Sequence, residues 1–313
     1  MLFGLLAAPV ATSAQVDLSA PLSDAQAALA EGDHKRAYAL YLRQAESGNP
    51  LAAFSLGTFL RAGWGRPVDN EQACRWFERA AEGSIPAAAH FFADCLLRGD
   101  LGNADPARAA QWYARAAELG HHGSLCALAD LYMTGNGVER NPGKGLALCQ
   151  KAAQLGSRSA AVKMGRYLLD GEESIRDADA AHAWFETVAH GSPEARFQLG
   201  RIHRDGIGAQ VSPDQARHWF ESAASHGYVP AYYPTAQAYL APYADLATNK
   251  PPAGVLAKGY MWLRATQERT RDPTERAAAE RRLEQVRAIM PDTWRPDLDA
   301  RVAAHLRDNP ALY

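Results

Sequence analysis

The segments WFERAAEG at 76–83, WYARAAELG at 112–120 and WFESAASHG at 219–227 are variants of one helix end, in which an aromatic pair leads through small and charged residues to a glycine. Related endings occur as QAESG at Gly48, KAAQLG at Gly156 and TVAHG at Gly191, so the glycines at 48, 83, 120, 156, 191 and 227 are separated by 35, 37, 36, 35 and 36 residues. Chance glycine spacing would scatter far more widely; a period this regular marks a repeat architecture. Seven or eight residues before the glycine stand Tyr41, Trp76, Trp112, Trp184 and Trp219, with Leu148 as the exception. About two helical turns separate each from the glycine, on the face that also carries the small Ala pair, which makes this series the expected core position.

Each ending is followed by a second helical stretch and a glycine turn. A small residue is followed six positions later by glycine in Gly57/Gly63, Ala129/Gly135, Gly165/Gly171 and Gly200/Gly206, and a further glycine follows at 65, 137 and 208. Glycine adopts the positive φ that ends a helix and reverses the chain. Asp105 with Pro106, Asn141 with Pro142, and Ser212 with Pro213 and Gln215 then have the form of helix N-caps. The expected fold is all-α: a right-handed α-solenoid of about six helix-turn-helix repeats of about 36 residues. The first unit, 22–48, lacks the glycine turn and reads as a terminal cap. Beyond Tyr239 a Pro-rich stretch, APYADLATNKPPAG, interrupts the pattern, and the charged helix over 273–290 and a short one near 298–306 are expected to close the array. The expected division is a signal peptide at 1–14, a solenoid at 22–265 and capping helices at 266–313.

Composition narrows the function. With 33 basic and 35 acidic residues the net charge is −2, which offers no basic excess for phosphate neutralisation and argues against nucleic acid as partner. Met1 to Ala14 reads MLFGLLAAPVATSA, an apolar run ending in small residues, as in an export signal, although no Lys or Arg precedes it. It is too short to span a bilayer, and no cysteine precedes Cys74 to carry a lipid anchor. Four cysteines follow, at 74, 95, 126 and 149. Counted from the turns near Ser84 and Val138, Cys74 and Cys95 come to similar height on antiparallel helices, as do Cys126 and Cys149. Two disulfides with those pairings are expected, in keeping with an oxidising, periplasmic location.

These repeats resemble the Sel-one-like repeat family, relatives of the tetratricopeptide repeats. The likeness rests on LGTFLRAGWG at 56–65, ALADLYMTGNGV at 127–138 and QLGRIHRDGIG at 198–208, together with the three helix ends quoted first, and it covers about 22–265. The resemblance implies a protein-binding scaffold or adaptor, with no cofactor. The family also includes periplasmic immunity proteins that block effectors of the type VI secretion system, adaptors of polysaccharide export, and members described as β-lactam-binding.

No phosphate loop, Gly-x-Ser-x-Gly, Ser-x-x-Lys or His-Glu-x-x-His occurs, and the cysteine spacings fit no paired C-x-x-C zinc site. The chain is therefore read as a non-enzyme, with catalytic and metal residues absent. His121 and His122, adjacent in sequence, read as a solvated turn. In stacked helix pairs the first helix of each pair lines the concave side. Its polar positions give the expected partner-binding series: Ser55, Thr58, Asp94, Asp130, Lys163, Arg166, Gln198 and Arg201, acidic in its first half and basic in its second.

Overall fold

A computed structural model describes residues 17–313; the expected signal peptide, 1–14, lies outside the described residues. The chain forms two compact units, one ending at Arg140 and the other beginning at Asn141. The first contains α1 (Ser23–Ala30), α2 (His34–Glu46), α3 (Pro50–Ala62), α4 (Asn70–Glu82), α5 (Pro86–Arg98), α6 (Pro106–Glu118) and α7 (Gly123–Thr134). The second contains α8 (Pro142–Gln154), α9 (Arg158–Asp170), α10 (Ala178–Val188), α11 (Pro193–Asp205), α12 (Pro213–Ala224), α13 (Tyr232–Leu240), α14 (Ala253–Arg269), α15 (Pro273–Ile289) and α16 (Arg295–Asp308). Within each unit, consecutive helices pack against one another, as expected of stacked hairpins, except that α16 packs on α14. Among the described residues no strand forms, apart from one isolated bridge between Tyr228 and Leu312.

Helix starts set the register more faithfully than helix ends. Asp33, Asp69, Asp105, Asn141, Asp177 and Ser212 are the N-caps of α2, α4, α6, α8, α10 and α12, spaced by 36 residues except for a last step of 35. Each side chain accepts the backbone N–H three residues on, at 2.9–3.3 Å, satisfying one of the donors a helix start leaves open. Eight residues past each cap lie Tyr41, Phe77, Tyr113, Cys149, Phe185 and Phe220, and all six are buried.

The expected aromatic core series is corrected here. Tyr41 belongs to this buried position, but Trp76, Trp112, Trp184 and Trp219 precede it by one residue and are only half-buried. Counting back from the glycines mixes the two positions, because Gly83 follows Glu82 directly whereas Leu119 intervenes before Gly120. Trp112 packs edge-on against Phe92, with centroids 5.2 Å apart, as a flank of the core.

The small residues of the preceding helices face these rings. A Cβ on Gly165 would lie 2.6 Å from Phe185, and one on Gly200 would lie 2.4 Å from Phe220, so glycine sets how closely the two helices approach. Gly63, Gly65, Gly135, Gly137, Gly206 and Gly208 adopt positive φ as expected, but Gly171, at φ −71°, does not. The α9–α10 connection instead leaves its helix in extended backbone. The first repeat, 22–48, expected to lack a glycine turn, makes one between α1 and α2 with Gly32 alone, at φ 77°, in a link only three residues long.

The Pro-rich stretch after α13 is held down. Arg282 of α15 donates to the carbonyl oxygens of Tyr243 at 2.7 Å, Ala244 at 3.1 Å and Leu240 at 3.4 Å. Asp245 accepts from the Thr248 hydroxyl and the Ala247 amide within the loop. As expected, α15 starts at the Asp272 cap; it buries Ala279, Leu283 and Val286 while most of its charges face solvent. Leu298 and Val302 of α16 complete that core, and α14 runs past position 265 to Arg269.

Candidate functional site

The eight expected binding residues fall on a second register. Counted from Asn49, Ile85, His121, Ser157 and Ser192, which precede or cap α3, α5, α7, α9 and α11, the sixth position holds Ser55, Phe91, Ala127, Lys163 and Gln198. The ninth holds Thr58, Asp94, Asp130, Arg166 and Arg201. Three residues apart on a helix, the two positions share one face.

In the first unit, the Ser55 hydroxyl donates to the Leu51 carbonyl at 3.0 Å and Thr58 to Phe54 at 3.1 Å, so both spend their donors on their own helix. Asp94 accepts a 2.5 Å hydrogen bond from the Tyr113 hydroxyl and lies 4.0 Å from Arg98. Burial, then the bond to Asp94, pushes the Tyr113 phenol far above its ordinary range. Asp130 is half-buried on α7. Beside Asp94, the Arg61 guanidinium stacks 4.0 Å from the Phe91 ring centre and 5.3 Å from that of Phe77, while Phe54 lies parallel to Phe91 at 5.8 Å. Burial lowers the Arg61 pKa, and Asp94 partly restores it.

A histidine pair was not anticipated. His121, expected in a solvated turn, is half-buried; only His122 is exposed. The buried Ser124 hydroxyl lies 2.9 Å from His90 Nδ1 and 2.8 Å from His121 Nδ1. One hydroxyl donates to at most one of these nitrogens but can accept from both, so at least one of the two imidazoles donates its own Nδ1–H to Ser124. Serine, histidine and aspartate here do not make a nucleophile. Ser124 is fully buried, and His90 Nε2 stands 3.9 Å from Asp94, beyond hydrogen-bond reach.

In the second unit, Lys163 and Arg166 line a cleft of about 410 Å³ with Arg158, Ser159, Val162, Gly191, Ser192 and Glu194. Arg166 reaches Glu194 at 3.5 Å. Arg201 is gripped by both Asp170 oxygens, at 2.9 and 3.0 Å, and donates to the Gln198 side-chain oxygen at 2.7 Å. Gln198 is buried, so this trio ties α11 to α9. A second cleft, of about 400 Å³, is largely apolar and is formed by Ala216, Phe220, Pro234, Ala238 and neighbours, with Arg204 and Arg217 at its edges.

Cys74 on α4 and Cys95 on α5 form the expected disulfide, with α-carbons 5.8 Å apart. Cys126 and Cys149 are also disulfide-bonded, and no free cysteine remains among the described residues. Cys74, Cys95 and Asp100 are the one trio of potential metal ligands found among the described residues, but sulfurs joined in a disulfide have no thiolate to offer.

The family model described as Sel1 repeat matches residues 50–84, 86–121, 123–157, 158–189 and 193–228, more than half of the chain. Comparison with curated proteins returns no match. Among solved structures, a Sel1 repeat protein from Oxalobacter formigenes is 21% identical with a TM-score of 0.67, over 79% of this chain and 99% of its own. A protective antigen of uropathogenic Escherichia coli with an SLR fold is 22% identical with a TM-score of 0.69, over 95% of this chain but only 66% of that one. An immunity protein from Pseudomonas aeruginosa is 20% identical with a TM-score of 0.43, over 68% of this chain and 83% of its own. At these identities the likeness is one of fold.

Proposed function

The chain belongs to the Sel1 repeat family, and from that premise we propose that it is an exported, non-catalytic scaffold that holds a protein partner on the sixth- and ninth-position face of its repeats. The observation that carries this reading is the cleft that Lys163 and Arg166, both at those positions, line together with Arg158 and Glu194. Basic side chains at its wall suit an acidic segment of a partner, and complementary charge speeds encounter. Ser55, Thr58, Asp94 and Asp130 hold the same repeat positions in the first unit, and in the second Gln198 and Arg201 brace α11 against α9. Disulfide-bonded cysteines and the apolar opening stretch favour the periplasm over a reducing compartment. No described helix is long and apolar enough to cross a membrane.

The test is capture from envelope and secreted proteins by the tagged chain from Gln15 onward, run beside its Lys163→Glu/Arg166→Glu variant. A species retained stoichiometrically by the parent and lost by the variant, with thermal melting unchanged, supports the reading. Equal retention by both overturns the proposed face. Retention of nothing overturns the scaffold. A captured toxin would specify occlusion of an effector, and a captured structural component would specify an adaptor.

A further inference from the structure

We infer that the first unit carries its own recognition point: Arg61 pairs with a carboxylate of a protein partner, and an apolar side chain next to that carboxylate lies on Phe54 and Phe91. This deepens the scaffold reading and rests on it for the kind of ligand.

The arginines on the corresponding faces are already matched to acids. Arg98 reaches Asp100 at 2.7 Å, Arg166 reaches Glu194, Arg201 is held by Asp170, and Arg204 is held by Asp205. Arg61 differs from all of these. Among the described residues no carboxylate lies within ion-pair reach of it, and its guanidinium is stacked on Phe91 and Phe77. Asp94 is nearby but already taken up by Tyr113 and Arg98. Half-burial without a partner penalises the cation, as its lowered pKa reflects. A ligand that supplies the missing anion recovers that penalty.

With Phe91 covering one side of the Arg61 guanidinium, its N–H fork remains to meet a carboxylate by two parallel hydrogen bonds. The parallel Phe54 and Phe91 rings extend the platform beside it, and both are only half-buried. One unmatched cation beside Asp94 suits a monoanion. A phosphate dianion would place its second charge against Asp94 with nothing to balance it.

The experiment follows the Arg61 side-chain Nε–Hε resonance in the labelled chain from Gln15 onward during titration with acetyl-Ala-Phe-Glu-Ala-amide. The expected result is a saturable millimolar response that weakens about tenfold when Glu is replaced by Gln, the size of one charge-assisted hydrogen bond. Arg61→Gln should remove the binding, and Phe91→Leu should weaken it while leaving the Glu preference. If Arg61→Gln fails to fold, the Glu-to-Gln comparison on the parent chain decides alone. An unmoved Arg61 resonance, or equal affinity for the two peptides, overturns the inference. Tighter binding when Glu is replaced by phosphoserine overturns the carboxylate assignment. No captured protein enters this test, so its failure leaves a capture that depends on Lys163 and Arg166 standing. A clear peptide response with nothing captured would instead sink the scaffold and keep Arg61 as a ligand site.

Discussion

Gly57 on α3 presents a bare α-carbon to the Phe77 ring on α4: a methyl group there would sit 2.5 Å from the ring. Phe77 is fully buried and cannot swing away. Alanine favours a helix by about 1 kcal/mol over glycine, yet overpacking a full core costs about 1–3 kcal/mol, so Gly57→Ala should destabilise. Gly165→Ala and Gly200→Ala, which face Phe185 and Phe220, should do the same. Urea unfolding checks this; a higher midpoint in any of the three would mean that the helices can part without loss.

Phe77→Ala should cost about 3–5 kcal/mol, the range for emptying a large buried ring. Trp76→Ala, one residue away but half-buried, should cost clearly less despite the larger side chain. Equal losses in paired urea melts would return the tryptophans to the core.

These two residues also show how far the sequence could be read. The repeat length, the caps and the two binding positions depend on spacing along one chain, and Lys163 and Arg166 do share a cleft as their register implies. The choice between Trp76 and Phe77 needs single-residue phase, and helix ends that vary by one residue blur it, whereas Asp69 and its counterparts hold it. The meeting of His90, His121 and Ser124 requires the relative height of two helices and a turn, which local pattern does not encode. Arg61 carries no signal in its spacing, because its character comes from its surroundings: two rings against its guanidinium and, among the described residues, no carboxylate within ion-pair reach.

Arg282 is the clamp on the Pro-rich loop, since its guanidinium reaches three carbonyls there. Arg282→Ala should therefore leave the core largely intact while loosening residues 241–252. Limited proteolysis should cut the variant in that stretch faster than the parent, with little change in melting temperature. Unchanged cleavage would assign the loop's order to Asp245 and its turn instead.

The Cys74–Cys95 bridge closes a segment with a sequence separation of 21. Restricting the unfolded chain over a loop of that size is worth about 3 kcal/mol, so Cys74→Ala/Cys95→Ala should lose about that much stability. Chain denatured without reductant should titrate with no thiol, and four thiols should appear after reduction. Reactive thiol before reduction would contradict the bonded state of the cysteines and remove an argument for export.

Acid should weaken the fold through its half-buried histidines before its carboxylates titrate. Burial lowers the pKa of His90 and His121 in the first unit and of His305 in the second. Unfolded, each takes up a proton near pH 6.5; folded, each resists until lower pH. The unfolded chain therefore binds more protons in that window, and stability present above about pH 6.5 is lost as pH falls through it. Asp94 and Arg61 act on His90 with opposite signs, and burial outweighs both. Burial raises the pKa of Glu275, which works in the other direction, so the comparison belongs at pH 5.5 and above, roughly beyond the carboxylate range. Urea midpoints at about pH 7.5, 6.5 and 5.5 should fall for the parent chain and fall less for His90→Gln/His121→Gln. If the double variant keeps the parent's full pH dependence, the pair is not its source, and His305→Gln becomes the residue to examine.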